Sequence, residues 1–190
     1  RKKDLWILSG FLFFWNFSPS INAAFFYYAV DTLKFDGSFI GLLQAVAAVG
    51  AFIGSFIFKY AERIPVRRFL LFAALAGTAS VLFTFIYFAP AVIANPSVSR
   101  TVALASNFLF GMLATLIFLT LLNLAAKVSP QYAGGTTFAF LMSFYNLGLL
   151  GANALGGLLF SVVGFGGLIL LSAGFSLAVL FFLPYLPTDK

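Results

Sequence analysis

Six long apolar runs, separated by short clusters of charge, occupy almost the whole 190-residue chain, and this alternation constrains the fold more than any other feature. A helix needs about 20 apolar residues to cross the hydrocarbon core of a bilayer. Residues 5–30, 38–61, 66–89, 101–126, 133–160 and 166–186 each supply such a stretch, so the sequence predicts an all-α integral membrane bundle of six transmembrane helices in a single domain. With 62% of residues hydrophobic and only 8% charged, a water-facing surface could not be built, and lipid must be the solvent for most of the chain. Ten-residue alternating strands, the mark of a membrane barrel, are absent, and open backbone would be left unsatisfied in lipid.

The connections are short and carry turn chemistry: Asp36-Gly37, Ile64-Pro65, Asn95-Pro96, Ser129-Pro130 and the Gly164 to Gly167 run. Consecutive helices are therefore expected to be antiparallel. If the N-terminus is cytoplasmic, the inner loops hold nine basic residues (Arg1, Lys2, Lys3, Lys59, Arg63, Arg67, Arg68, Lys127, Lys190) and the outer loops two, Lys34 and Arg100. The positive-inside rule then places both termini in the cytoplasm, or in the stroma or matrix of an organelle.

The chain has no cysteine and no histidine, which excludes disulfides, thiolate or imidazole metal sites, Cys or Ser-His nucleophiles and histidine relays within it. Neither a metal nor a cofactor is expected. Paired carboxylates and a phosphate loop are also missing, so enzymatic chemistry is not predicted. The net charge of +6 would suggest nucleic acid in a soluble domain, but here the basic residues flank apolar runs and serve topology and anionic headgroups. The chain begins at Arg1 with no signal peptide before the first run, and we expect it to be a piece of a longer protein.

No charged residue lies near the middle of any predicted span, although an intramembrane ionisable group is the usual mark of a proton or ion path. What remains is a set of amides and hydroxyls: Asn16, Ser18, Ser20 and Asn22, then Gln44, Asn107 and Thr115, and finally Ser143, Tyr145, Asn146 and Asn153. In lipid such groups must face the bundle or a cavity, as substrate ligands or as interhelical hydrogen-bonding groups. Asn146 and Asn153 are seven residues apart and share one helix face, the best candidate for a cavity wall. Pro19 is expected to kink the first span between Asn16 and Asn22, where it frees a backbone carbonyl. Small residues recur in the second span (Ala47, Gly50, Ala51, Gly54, Ser55) and the fifth (Gly148, Ala152, Gly156), a pattern that lets backbones pack closely. Trp6, Tyr27, Tyr28, Tyr60, Tyr87 and Tyr185 near span ends fit interfacial belts, while Tyr145 alone is deep enough to stack on a flat heterocycle.

Between the second and third spans the chain reads Lys59-Tyr60-Ala61-Glu62-Arg63-Ile64-Pro65-Val66-Arg67-Arg68. An acidic residue, an arginine, a turn former and two further basics resemble the loop that the major facilitator superfamily places between the second and third helices of a six-helix half. Pro65 or Val66 stands where that family has glycine. The resemblance implies that Glu62, Arg63, Arg67 and Arg68 are gating elements rather than substrate ligands. Further along, Thr136-Thr137-Phe138-Ala139-Phe140-Leu141-Met142-Ser143-Phe144-Tyr145-Asn146-Leu147-Gly148, following Ser129-Pro130, is similar to the eleventh helix of the folate-biopterin transporter family. Ser18-Pro19-Ser20 before the Phe25 to Tyr28 aromatic run, and Pro65-Val66-Arg67-Arg68, agree in order and spacing.

That resemblance implies helices seven to twelve of a twelve-helix secondary carrier, with a small organic anion or heterocycle such as folate or a pterin as substrate. Its expected partners are the lipid bilayer, a small-molecule substrate and either an N-terminal six-helix half or a second copy forming a homodimer. A second reading keeps the carrier fold for a non-transporting membrane assembly factor or pigment-delivery scaffold.

Overall fold

A computed structural model describes residues 2–186; Arg1 and Lys190, two of the basic residues used for orientation, lie outside the described residues, as does the side chain of Lys2. Seven α-helices and three short 3-10 segments account for nearly all of it, and the described residues contain no strand. Four helical stretches, Gly37–Ala61, Val66–Phe88, Pro96–Val128 and Gly134–Tyr185, are long and apolar enough to cross a membrane.

The first run is broken rather than kinked. Helix α1 is Lys2–Asn16 and α2 is Asn22–Asp31, with residues 17–21 non-helical between them. Pro19 lacks the N–H that would continue the ladder and its ring clashes with the preceding turn; the serines on either side then find partners elsewhere. The turn after α2 does not form at Asp36-Gly37. Lys34 takes the left-handed conformation (φ 55°), and the Phe35 N–H returns to the Ala29 carbonyl at 2.9 Å. Asp36 is instead the N-cap of α3 (Gly37–Ala61), accepting from the Phe39 N–H at 2.7 Å.

Helix α4 (Val66–Phe83) runs on as a 3-10 segment, Thr84–Phe88, and a short helix α5 (Pro90–Ala94) fills what the sequence suggested was loop. Helix α6 (Pro96–Val128) starts five residues before the expected Thr101, because Asn95 caps it through the Ser97 and Val98 N–H groups with Pro96 in the first turn. Helix α7 (Gly134–Ala178) reverses at Gly164, whose φ of 68° and ψ of −177° belong to glycine alone. Leu141 of its first arm and Val179, Leu183 and Leu186 beyond its second arm share one core cluster, so the two arms lie side by side. Had the helix stayed straight, 42 residues at about 1.5 Å each would hold Leu141 and Leu183 roughly 60 Å apart.

Packing follows the small residues. A Cβ on Gly50 or Gly111 would collide with the carbonyl of Phe108 or Ala47, and one on Gly54 would lie 2.6 Å from the Met112 carbonyl, so α3 and α6 touch backbone to backbone. The same holds between α1 and the first arm of α7, where a Cβ on Gly148 would lie 2.5 Å from the Phe13 carbonyl. Helix α4 packs on the second arm, with Leu70 beside Val179 and Leu183. Numbering the predicted spans one to six, span one pairs with five, four with two, and three with six: exchanging the two groups of three spans leaves the pattern unchanged.

Candidate functional site

The break at residues 17–21 sits between the arms of α7. The Ser20 N–H donates to the Ala152 carbonyl of the first arm at 2.9 Å. On the other side Ser18 Oγ donates to the Ser172 carbonyl at 3.0 Å, with the Ser172 hydroxyl at 3.0 Å and Ser176 Oγ at 3.5 Å. Gly156 makes room for this backbone, since a Cβ there would meet the Ser20 carbonyl. The break is therefore held by both arms of α7 at once. Ser172 and Ser176 were not singled out from sequence, although their four-residue spacing puts both hydroxyls on one face of the last span.

Of the other predicted polar positions, Asn16, Asn107 and Ser143 turn back on their own helices, donating to the carbonyls of Leu12, Ala103 and Ala139 at 2.9 Å each. Of these predicted polar positions, Ser18 is the one whose side chain bonds a distant helix among the described residues. Asn146 and Asn153 are exposed on one face of the first α7 arm, and Gln44 and Asn22 are exposed on α3 and α2; none of these four side chains is hydrogen-bonded among the described residues. Tyr145 is half-buried, its ring 5.6 Å from that of Phe118 in the same core cluster as Leu121 and Leu141. Its ring is thus committed to packing between α7 and α6.

The aromatic belt needs one correction. Tyr87 is buried at 2% exposure, not interfacial; its hydroxyl and that of Ser106 are 2.9 Å apart, and its carbonyl accepts from the Tyr28 hydroxyl at 2.9 Å. With Phe25, Phe88 and Phe165 these rings bind α2 to the end of the third span and the Gly164 reversal. Tyr87 looks like an end residue in sequence because the third span was expected to end at Ala89, two residues on; the short helix α5 follows it instead.

Glu62, Arg63, Arg67 and Arg68 are all exposed at the α3–α4 turn, and among the described residues none forms an ion pair with another. Arg63 lies over the Tyr60 ring, 5.9 Å from its centroid. At the opposite end Arg100 and Asp36 do pair, at 3.5 Å, which ties the starts of α6 and α3. The Ser38 hydroxyl, the Phe39 N–H and the nearby Arg100 together hold the Asp36 carboxyl below its ordinary pKa.

A half-open cavity of about 110 Å³ is lined by Trp15, Ala73, Ala74, Gly77, Ile117, Ser176 and Val179. Sites for organic ligands run from about 300 Å³ upward, so this space inside the bundle is too small and too apolar for one. No three His, Asp or Glu side chains converge among the described residues.

A bundle of long apolar helices with one broken span is an integral helical membrane protein. The chain belongs to the BT1 family, whose sequence pattern matches residues 1–184; members of that family are transporters, not enzymes. It is 29% identical over 192 aligned positions to the folate-biopterin transporter of Synechocystis sp., covering 98% of this chain and 39% of that protein. It is 28% identical over 170 positions to the Arabidopsis thaliana protein named "Probable folate-biopterin transporter 4", covering 89% of this chain and 35% of that protein. The chain thus spans little more than a third of the length of these relatives. No solved structure matches it.

Proposed function

We propose that this chain is one six-helix half of an alternating-access secondary carrier of the major facilitator type, and that the carrier moves a small organic solute of the folate or pterin class. The observation that carries the reading is the pair of exposed, unbonded amides Asn146 and Asn153 on one face of α7, facing away from the chain's own core. Amides left without partners in a membrane bundle call for a polar neighbour, and a cavity shared with a second half provides one. The exchange symmetry of the span pairings supports the same reading, because six-helix halves of this type are built from two three-helix repeats. So do the relatives' names and the third of their length that this chain matches.

In this reading Asn146 and Asn153 contact substrate together with Gln44 and Asn22; Asn16, Asn107 and Ser143 lie at the edge of the site, and Tyr145 supports it from behind. Ser18 positions the broken span, and Glu62, Arg63, Arg67 and Arg68 gate at the cytoplasmic face by pairing with the other half in one of the carrier's two states, which leaves the turn open to the membrane surface in the other. The coupling charge, if transport is driven by an ion, resides in that other half, since the described spans offer none.

The test is uptake by the full-length protein in proteoliposomes. Wild-type protein should accumulate a pterin or folate, and Asn146→Leu should reduce the rate at least tenfold with folding intact. No accumulation of any pterin or folate, beside a working control carrier, would remove the substrate class. Unchanged uptake in Asn146→Leu would remove the site, and normal assembly with no transport at all would favour the scaffold.

A further inference from the structure

Four of the nine basic residues expected on the inner side gather on a single turn. Lys59, Arg63, Arg67 and Arg68 fall within ten residues at the α3–α4 connection and all are exposed, whereas the connection after α6 at the same end carries Lys127 alone. Orienting a helix requires basic residues on that side but does not require that they gather on one turn. Nor does the protein neutralise them. Glu62 is the one acid nearby and is ion-paired with none of them among the described residues, and the first turn of α4 contains no acidic residue beside Arg67 and Arg68.

Apolar surface accompanies the charge. Tyr60 is 66% exposed and Ile64, at the tip of the turn, 46%; the Arg63 guanidinium lies 5.9 Å over the Tyr60 ring. A turn that offers cationic heads to phosphate and a ring and an aliphatic side chain to the acyl boundary matches the two layers of a membrane surface. A soluble anion would use the first and leave the second in water.

We propose that the α3–α4 turn is a binding site for anionic phospholipid, with Arg63, Arg67 and Arg68 holding the headgroup phosphate and Tyr60 and Ile64 seated at the acyl boundary. The site is independent of which solute the carrier moves.

Displacement of a fluorescent phosphatidylglycerol from the purified full-length protein in neutral detergent tests it. Unlabelled phosphatidylglycerol should compete and phosphatidylcholine should not, with affinity falling on the order of fivefold for each arginine replaced by glutamine. The triple variant Arg63→Gln/Arg67→Gln/Arg68→Gln should lose competition, the corresponding triple lysine variant should keep most of it, and Lys127→Gln should be unaffected. Tyr60→Ser with Ile64→Ser should weaken phosphatidylglycerol while leaving any response to inorganic phosphate unchanged. Equal binding by the wild-type and triple glutamine proteins would overturn the proposal, as would full competition by inorganic phosphate at the lipid's concentration. A triple glutamine variant that fails to fold shifts the decision to the serine pair and Lys127→Gln.

Discussion

Glycine and aspartate positions give the sharpest expectations at the scale of single residues. Gly50 and Gly77 are both glycines in apolar helices, but a Cβ on Gly50 would strike the Phe108 carbonyl, a backbone atom that cannot step aside, whereas Gly77 has nothing within 4 Å. Gly50→Ala should destabilise by about 1–3 kcal/mol, in the range of overpacked cores, and Gly77→Ala should be neutral, as read by thermal unfolding in detergent. Asp36 gives a pH dependence. Its folded pKa is depressed, so its contribution is present above the ordinary carboxylate value of about 3.9 and is lost as pH falls through the lower folded value. Asp36→Ala should therefore unfold at a lower temperature than wild type at neutral pH, with the deficit closing only in strong acid. Individual residues were read unevenly from sequence. The shared face of Asn146 and Asn153 was legible because a seven-residue spacing survives in any helix, but Asn16 and Asn107 look the same in sequence and bond their own backbone.

At the scale of elements, the starts of α3 and α4 fall within a residue of where the sequence placed them, beside Asp36-Gly37 and Pro65, whereas α6 begins at Pro96 rather than Thr101 because the Asn95 cap was read only as a turn. The broken first span was half legible: Pro19 announces a fault, but whether a span bends or separates depends on what receives the freed groups, and Ala152 and Ser172 are over 130 residues away in sequence. The reversal in α7 was visible as a glycine run, yet only Gly164 among those glycines takes a positive φ. Gly164→Ala should cost about 1–3 kcal/mol and expose the 134–178 hairpin to protease, while Gly166→Ala, whose added Cβ would meet only a Phe85 ring carbon at 3.9 Å, should leave both unchanged. Which helix pairs with which was not legible, because small-residue faces on α3, α6 and α7 are compatible with several partners until three dimensions select one.

For the whole molecule, the described basic residues divide by end. Lys3, Arg67 and Lys127 lie beside the cluster of Leu8, Leu70 and Leu124, while Lys34 and Arg100 flank the cluster of Phe35, Phe39 and Tyr87. These 190 residues contain no cysteine, so in protein cleared of any cysteine elsewhere the sidedness is directly measurable. Cysteines introduced singly at Arg63 and Lys127 should react with a membrane-impermeant maleimide only from the cytoplasmic face, and those at Lys34 and Ser97 only from the other; a shared side for both pairs would break the six-crossing topology. The tether across the broken span has a further consequence for how the protein is made. Ser18 and Ser172 are separated by 154 residues, so the first span enters the bilayer long before the last one leaves the ribosome. Until then its unwound stretch has no hydroxyl to meet, and the nascent chain must hold an incomplete helix in lipid or at the translocon. Completion of the α7 hairpin would thus act as the event that closes this bundle, and chains stalled before it would carry a mark that membrane quality control can read.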